Sequence, residues 1–406
     1  MCWPTTLFLS GLGTSTVYLT RSISSLLMKG LMWTIEEIQS DESLRRKEFP
    51  ICRDQTFLAH AAVCPVPASV SKAIQTYASA CEQGDQEDQA GLLIAETRAL
   101  ASQFLGVGAN EIALVGPTSL ALSFIATGFS WQKNDEVLVY FDDYPSNVYP
   151  WMALSEWGVG VRFLNVTEPG LIRPQDILGQ IDENTRMVAL ASCHFLSGFR
   201  IEVDAIGKIL KDRGIAFCLD AIQTIGAFPT PLKHVDFMAA DAHKWMLGPC
   251  AAGLMLVKKT MQTLLQPTTF GWHNVSCPDF VASEEFELKD DARRYEAGSH
   301  NLMGLAGLKA SLSMLQQLGI ESIAKDLLEK RKFLSSILIE KGYQVLHAEV
   351  PEANSSGIVT FHRDGDDMSL LHQSLKEKKC QTSLRTDRDG NHFIRLSPHF
   401  YNTFSE

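Results

Sequence analysis

Two carboxylates and an amine stand at the ends of consecutive apolar runs in this chain. Asp220 directly follows Ile215-Ala216-Phe217-Cys218-Leu219, and Asp241, His243 and Lys244 follow Phe237-Met238-Ala239-Ala240. Runs of this kind read as strands buried on both faces, and in open α/β sheets ligands bind beyond the carboxyl ends of such strands. Each residue alone has an ordinary explanation, since a strand-end aspartate commonly caps a helix and a lysine commonly faces water. Together, an amine and a carboxylate on one rim match what pyridoxal phosphate needs. The amine forms a Schiff base, and the anion keeps the pyridine nitrogen protonated so that the ring acts as an electron sink.

The elements that must position these groups alternate along the chain. Short apolar runs at Ile112–Val115, Val137–Phe141, Val161–Leu164, Met187–Cys193, Ala216–Leu219, Phe237–Ala240 and Gly253–Val257 predict strands of a mainly parallel sheet, separated by crossover helices. Helices are expected at Ala90–Phe104 and at Val203–Arg213, the latter stopped by Gly214. A long helical pattern over Leu302–Lys341 replaces the alternation, and strands near Gly357–His362, Gln381–Leu384 and Phe393–Leu396 suggest a second, smaller unit. The expected organisation is a large α/β domain over residues 60–300 and a small α/β domain built from 35–59 and 301–406. Residues 1–34 have no acidic residue and only Arg21 and Lys29 as basic ones, and are read as a leader outside the fold.

Composition narrows the function classes. The 406 residues carry 36 Lys and Arg against 47 Asp and Glu, a net charge of −11 that argues against a nucleic-acid or anionic-membrane partner. Nine cysteines with no C-x-x-C pair fit neither a disulfide framework nor a zinc ribbon, so a reduced, cytoplasmic setting is expected and no metal. Organelle import remains an option if residues 1–34 are a transit peptide. The uncharged stretch Ile112–Gln132 is broken by Gly116-Pro117-Thr118-Ser119 and reads as strand, turn and helix rather than a membrane span.

The wording around the two strand ends is more specific than their spacing. Asp220-Ala221-Ile222-Gln223-Thr224-Ile225-Gly226 and His243-Lys244-Trp245-Met246-Leu247-Gly248-Pro249 resemble the fold-type I, class V aminotransferase and cysteine desulfurase superfamily, over roughly residues 50–404. The resemblance implies pyridoxal 5′-phosphate as cofactor. Within it, Lys244 matches the Schiff-base lysine and Asp220 the partner of the ring nitrogen. Gln223 matches the residue that hydrogen-bonds the cofactor's phenolic oxygen, and His243 the histidine reaching toward the phosphate. Thr118 and Ser119 match the phosphate cup, where a helix start favours an anion. Tyr144 occupies the position of the ring that lies over the cofactor, where many relatives carry histidine; a tyrosine stacks there but is a poor acid or base near neutral pH. Arg294, Glu296, Gly298 and Ser299 resemble a stretch whose last hydroxyl reaches the phosphate of the neighbouring subunit, which implies a homodimer. Arg395 matches the arginine that grips the substrate α-carboxylate, a task suited to a bidentate guanidinium. His194 and Ser197 flank the site, Arg385 and Arg200 are weaker candidates for a second substrate anion, and Trp272 stands near the expected pocket mouth.

Two departures limit the resemblance. Cysteine desulfurases need a nucleophilic cysteine on the loop that here reads Thr386-Asp387-Arg388-Asp389-Gly390-Asn391-His392, and Cys380 precedes Arg385 in an expected strand. Asp241 stands near the phosphate site, where an anion would be repelled, and is expected to turn toward His243 or the backbone. The leading expectation is therefore a class V aminotransferase acting on an amino acid or amine. The alternative is a lyase or epimerase of the same family, desulfurase-like or a C–S lyase, and the third reading is a cofactor-free interaction protein.

Overall fold

The computed structural model describes residues 33–277, 281–282 and 284–406. Thirteen described strands follow in chain order: β1 (Thr56–Phe57), β2 (Ile112–Ala113), β3 (Glu136–Val139), β4 (Gly160–Phe163), β5 (Thr185–Ala191), β6 (Ala216–Asp220), β7 (Phe237–Asp241), β8 (Gly253–Val257), β9 (Gln344–Val345), β10 (Val359–His362), β11 (Cys380–Gln381), β12 (Ser383–Thr386) and β13 (His392–Leu396). Seven form one sheet in the order β2-β8-β7-β6-β5-β3-β4, parallel except for β8, which runs against both of its neighbours. This is an α/β fold of the expected class, with each of the seven apolar runs supplying a strand of this sheet and β2 and β4 at its edges.

Successive side chains of these strands point to opposite faces, which is why the runs are apolar throughout. Phe217 and Leu219 of β6 join the core cluster on one face, with Val188 and Leu190 of β5, while Ala216 and Cys218 join Met187 and Ala189 on the other. With both faces covered, polar residues on these strands are confined to their ends, and β6 and β7 stop at Asp220 and Asp241.

A second, antiparallel sheet has the order β12-β13-β10-β9, and β1 pairs with β11 beside it. The segment of residues 35–60 reaches this unit through that pairing and through Gln39, which donates to the Phe400 carbonyl at 2.6 Å. Trp33 and Thr34, set aside above with the leader, are part of the packed structure. Trp33 lies 6.2 Å from both Phe49 and Phe400, and Thr34 caps the helix Ile35–Ser40; the rest of the expected leader lies outside the described residues.

Two boundaries differ from the expectation. The long pattern at 302–341 is two helices, Leu302–Leu318 and Ile320–Glu340, because Gly319 adopts φ +80°, a left-handed conformation that ends the first helix. The expected strand Gln381–Leu384 is split between β11 and β12, which belong to different sheets. Gly226 also has a position only glycine fits: at φ +94°, a Cβ would lie 2.6 Å from the Trp245 carbonyl carbon. That close approach holds the turn after Asp220 against the segment carrying Lys244.

Candidate active site

A cavity of about 270 Å³ opens where β6 and β7 end, and Asp220, Gln223, His243 and Lys244 line it. Thr118, Ser119 and Tyr144 close other sides, and Arg385 and Arg395 reach it from the small antiparallel sheet. Eight of the nine residues expected at a cofactor or substrate site are thus neighbours. Ser299 is the exception. It is exposed and donates to Glu87 at 3.0 Å, away from this cavity.

Asp220 is buried and accepts one hydrogen bond, from the Ile222 N–H at 3.1 Å. Burial raises its carboxyl above the usual range, and the nearby Asp143 adds like-charge repulsion. Asp143 itself is pushed up to about 6 by burial despite bonds from Asn147, Tyr144 N–H and Ala191 N–H. Lys244 is also buried, which lowers its amine, with Asp220 opposing the shift. Among the described residues none hydrogen-bonds or ion-pairs with Lys244 Nζ, which lies 5.2 Å from the centre of the Tyr144 ring. The Tyr144 ring is 46 % exposed, so it forms a wall between the cavity and water.

The opposite end of the cavity is built for an anion. The helix Thr118–Gly128 starts there; Leu120 N–H already donates to the Pro117 carbonyl at 2.9 Å, while the N–H groups of Thr118 and Ser119 have no partner among the described residues. The Thr118 hydroxyl accepts the Asp241 N–H at 2.9 Å, tying this helix start to the end of β7. Asp241 points away from the cavity's anion end, as expected: it takes the N–H groups of Ala242, Ala251 and Ala252 and pairs with His243 Nδ1 at 2.7 Å. These bonds hold its carboxyl below the usual range against the burial that raises it. Gln223 is held by Trp245, which donates to its Oε1 at 2.8 Å, and its Nε2 donates to the Ala61 carbonyl at 3.1 Å.

Arg395 is 1 % exposed, donates through Nη1 to the Phe195 carbonyl, and leaves Nε and Nη2 buried with no partner. Burial pushes its guanidinium down to about 9, and Arg385 adds to the shift. Buried polar groups without partners are uncommon and costly, so a ligand is the natural complement. The cavity fits pyridoxal 5′-phosphate on these grounds: a buried carboxylate with no cation in contact, an unpaired amine, unbonded helix-start N–H groups for a phosphate and an unsatisfied guanidinium beyond.

Several residues singled out in the sequence belong to packing. His194 and Ser197 bond to each other at 2.9 Å, and His194 Nε2 contacts the Asp142 carbonyl at 3.0 Å, so they build a local turn. Arg200 stacks 4.1 Å over Phe228 and donates to the Ser355 and Glu352 carbonyls, outside the cavity. Trp272, expected near the pocket mouth, is 40 % exposed and does not line the cavity. Glu296, with His273 and His300, is the one group of potential metal ligands among the described residues, but its oxygens are already engaged. Arg98 contacts both at 2.5 and 2.9 Å, the Leu114 N–H donates at 2.7 Å, and His300 Nε2 lies 3.0 Å away.

That network holds the Glu296 carboxyl down to about 2 against burial, which acts the other way. Glu296→Gln leaves Arg98 buried and uncompensated, with an expected loss of about 3 kcal/mol in urea unfolding. Because the folded-state value is depressed, this contribution is present above the unfolded value near ~4.3 and is lost as pH falls toward the folded one. The gap between wild type and variant should therefore narrow as pH is lowered from 5 toward 3.

Sequence signals missed part of the cavity. Asp143, two residues beyond the run Val137–Phe141, does not line the cavity but acts on Asp220 by like-charge repulsion, and the sequence reading gave it no role. Ala61, Ala62 and Phe195 line the wall, and nothing in their residue types marks them.

The model of the family described as aminotransferase class-V matches residues 56–406. A probable cysteine desulfurase of Methanothermobacter thermautotrophicus is 28% identical over 385 residues, 89% of this chain and 94% of that protein. An uncharacterized aminotransferase, YcbU, of Bacillus subtilis is 26% identical, with the same 89% and 94% coverage. Among solved structures, an apo cysteine desulfurase from Thermococcus onnurineus NA1 superposes with a TM-score of 0.80 at 23% identity, over 89% of this chain and 94% of that one. The cystine C-S lyase C-DES, in complex with its product cysteine persulfide, gives 0.80 at 21% identity, over 87% and 95%.

Proposed function

The chain belongs to the aminotransferase class-V family, whose cofactor is pyridoxal 5′-phosphate, and on that footing we propose that it is a lyase cleaving the Cβ–S bond of a sulfur-containing amino acid. The observation that carries this reading is the make-up of the cavity: Lys244, Asp220 and Arg395 line it together, and none of its lining residues is a cysteine. The relatives named desulfurases and the fold neighbour named a C-S lyase favour the lyase over the transamination expected first from the sequence. Among the described residues no cysteine lines the cavity to serve a persulfide-forming desulfurase route. Cys380 sits on β11, and burial raises its thiol.

When bound, the cofactor supplies an aldehyde that joins amines and a conjugated ring that takes up carbanion charge. The chain supplies the rest. The N–H groups of Thr118 and Ser119, with His243, hold the phosphate, and Gln223 Nε2 hydrogen-bonds the phenolic oxygen. Asp220 would keep a proton on the ring nitrogen, and that cation would in turn relieve the unpaired buried carboxylate. Arg395 grips the α-carboxylate with its unpartnered nitrogens. Lys244 Nζ would attach the cofactor and, when free, would be the base for the α-proton, a role that the lowering of its amine by burial favours. With the α-proton on Lys244, the Cβ–S bond would break with its electron pair on sulfur, and uptake of water by the released product would give pyruvate and ammonium. Tyr144 shields this step from solvent but takes no proton. A homodimer in which Ser299 reaches the partner's phosphate completes the reading. The described cysteines, all free, support a reducing intracellular setting.

The test is a substrate panel of cystine, cysteine, S-substituted cysteines, alanine and glutamate offered to the cofactor-loaded protein. The expected products from the sulfur compounds are pyruvate and a sulfur species in equal amounts. Consumption of alanine or glutamate with a keto-acid acceptor, and none of the sulfur compounds, would return the protein to the aminotransferases.

A further inference from the structure

Trp245 directly follows Lys244; its indole is fully buried and does not line the cavity, yet it is tied to a residue that does. Its Nε1 donates to Gln223 Oε1 at 2.8 Å, while Gln223 Nε2 donates to the Ala61 carbonyl at 3.1 Å. An indole N–H can only donate and a carbonyl can only accept, so the two partners fix which end of the amide is which. Trp245 takes the oxygen, and Ala61 takes one of the two N–H groups. The second N–H has no partner among the described residues, and Gln223 lines the cavity together with Lys244.

The indole is itself clamped, from the side of the antiparallel sheet. At Gly357, just ahead of β10, a Cβ would lie 2.9 Å from Trp245 Cη2 and 3.2 Å from Cζ3, on the ring edge away from Nε1. His399, just beyond β13, accepts the Phe400 N–H on Nδ1 at 2.9 Å, which leaves its Nε2 to donate to the Trp245 carbonyl at 3.0 Å. An amide turned end for end would aim its oxygen at the cofactor's phenolic oxygen, and two acceptors repel. We infer that Trp245 is a positioning residue. It presents the free Gln223 N–H to the phenolic oxygen, stabilises that oxygen as an anion, and so sets the acidity of the nitrogen that joins the cofactor to Lys244. An anionic oxygen beside that nitrogen favours its proton; a donor on the oxygen draws off part of the charge and lowers the pH at which the proton is lost.

This inference rests on the reading that Gln223 meets the phenolic oxygen, and its test is spectroscopic. The visible absorption of the cofactor-loaded protein is titrated with pH, without substrate, and the midpoint of the change is read for wild type and variants. Gln223→Leu should raise the midpoint by at least about one unit, the worth of one hydrogen bond to a charged group. Trp245→Phe should raise it by about half a unit or more with the same amount of cofactor bound, since the amide is then held at one end only. Gly357→Ala, which pushes on the indole from outside the cavity, should move it the same way. Added to Gln223→Leu, Trp245→Phe should change the midpoint by less than about 0.2 unit, because no amide is left to position. An unchanged midpoint in Trp245→Phe, or an equal shift in both backgrounds, overturns the inference and leaves Gln223 at the oxygen. An unchanged midpoint in Gln223→Leu removes Gln223 from the oxygen and the inference with it. Gly357→Ala, read in the same two backgrounds, decides the matter if Trp245→Phe does not fold.

Discussion

Lys244→Ala is expected to abolish turnover, with kcat/KM falling by at least about 10⁴-fold, and to leave a protein that binds pyridoxal 5′-phosphate without a covalent link. The size follows from two roles lost at once. In the proposed function the amine is both the attachment point and the base that removes the α-proton, a step worth about 10²–10⁴ by itself. Among the described residues the Tyr144 ring faces Nζ, and His243, which shares the cavity, is paired with Asp241 through Nδ1, so neither takes over the role. Borohydride reduction followed by digestion and mass spectrometry reads the result directly. Wild type should carry the reduced adduct on the peptide containing Lys244 and the variant none; an adduct persisting in the variant would move the attachment elsewhere.

Asp220→Asn should cost about 10²–10³-fold in kcat with the cofactor still held by its phosphate and by Lys244. The carboxylate is placed where charge develops in the ring, and a preorganised charge of this kind contributes about 3–4 kcal/mol to a transition state. The same substitution has an opposite signature in the cofactor-free protein. Burial and mutual repulsion raise the Asp220 and Asp143 carboxyls, so the folded state binds more protons than the unfolded chain. Stability then falls as pH rises from the unfolded value near ~3.9 through about 6, the value for Asp143. Asp220→Asn removes one of the two charges and should flatten that fall, making the cofactor-free variant more stable than wild type at pH 8 in urea titrations. A variant less stable at pH 8 would mean that Asp220 is compensated by a cation in the free protein.

How much of this was readable in the sequence depended on whether a residue's environment is set locally. The strands β5 to β8 were legible because burial on both faces forces continuous apolar runs, and Asp220 and Lys244 were legible because a charge directly after such a run has only the strand end to occupy. The direction of β8 was not, since an antiparallel strand buried on both faces has the same composition as a parallel one. Gly319 was read through because the helical spacing continues on both sides of it. Arg200, His194 and Ser197 could be told from site residues only by tertiary partners: the Ser355 carbonyl meets Arg200 across 155 positions of chain, and the Asp142 carbonyl meets His194 across 52. Arg395 and Arg385 illustrate the other side. Their two-residue offset in the β12 and β13 register puts both on one face, a relation that exists only once the strands are paired.

The fate of the substrate nitrogen tests the central claim most directly. A single turnover of ¹⁵N-labelled cystine on stoichiometric cofactor-loaded enzyme should release one of its two labelled nitrogens as free ammonium, the other leaving on the cysteine persulfide, with one pyruvate formed and the cofactor recovered as the aldehyde. Label retained on the cofactor as an amine, together with a keto acid that still carries its sulfur, would contradict the lyase and make the protein an aminotransferase.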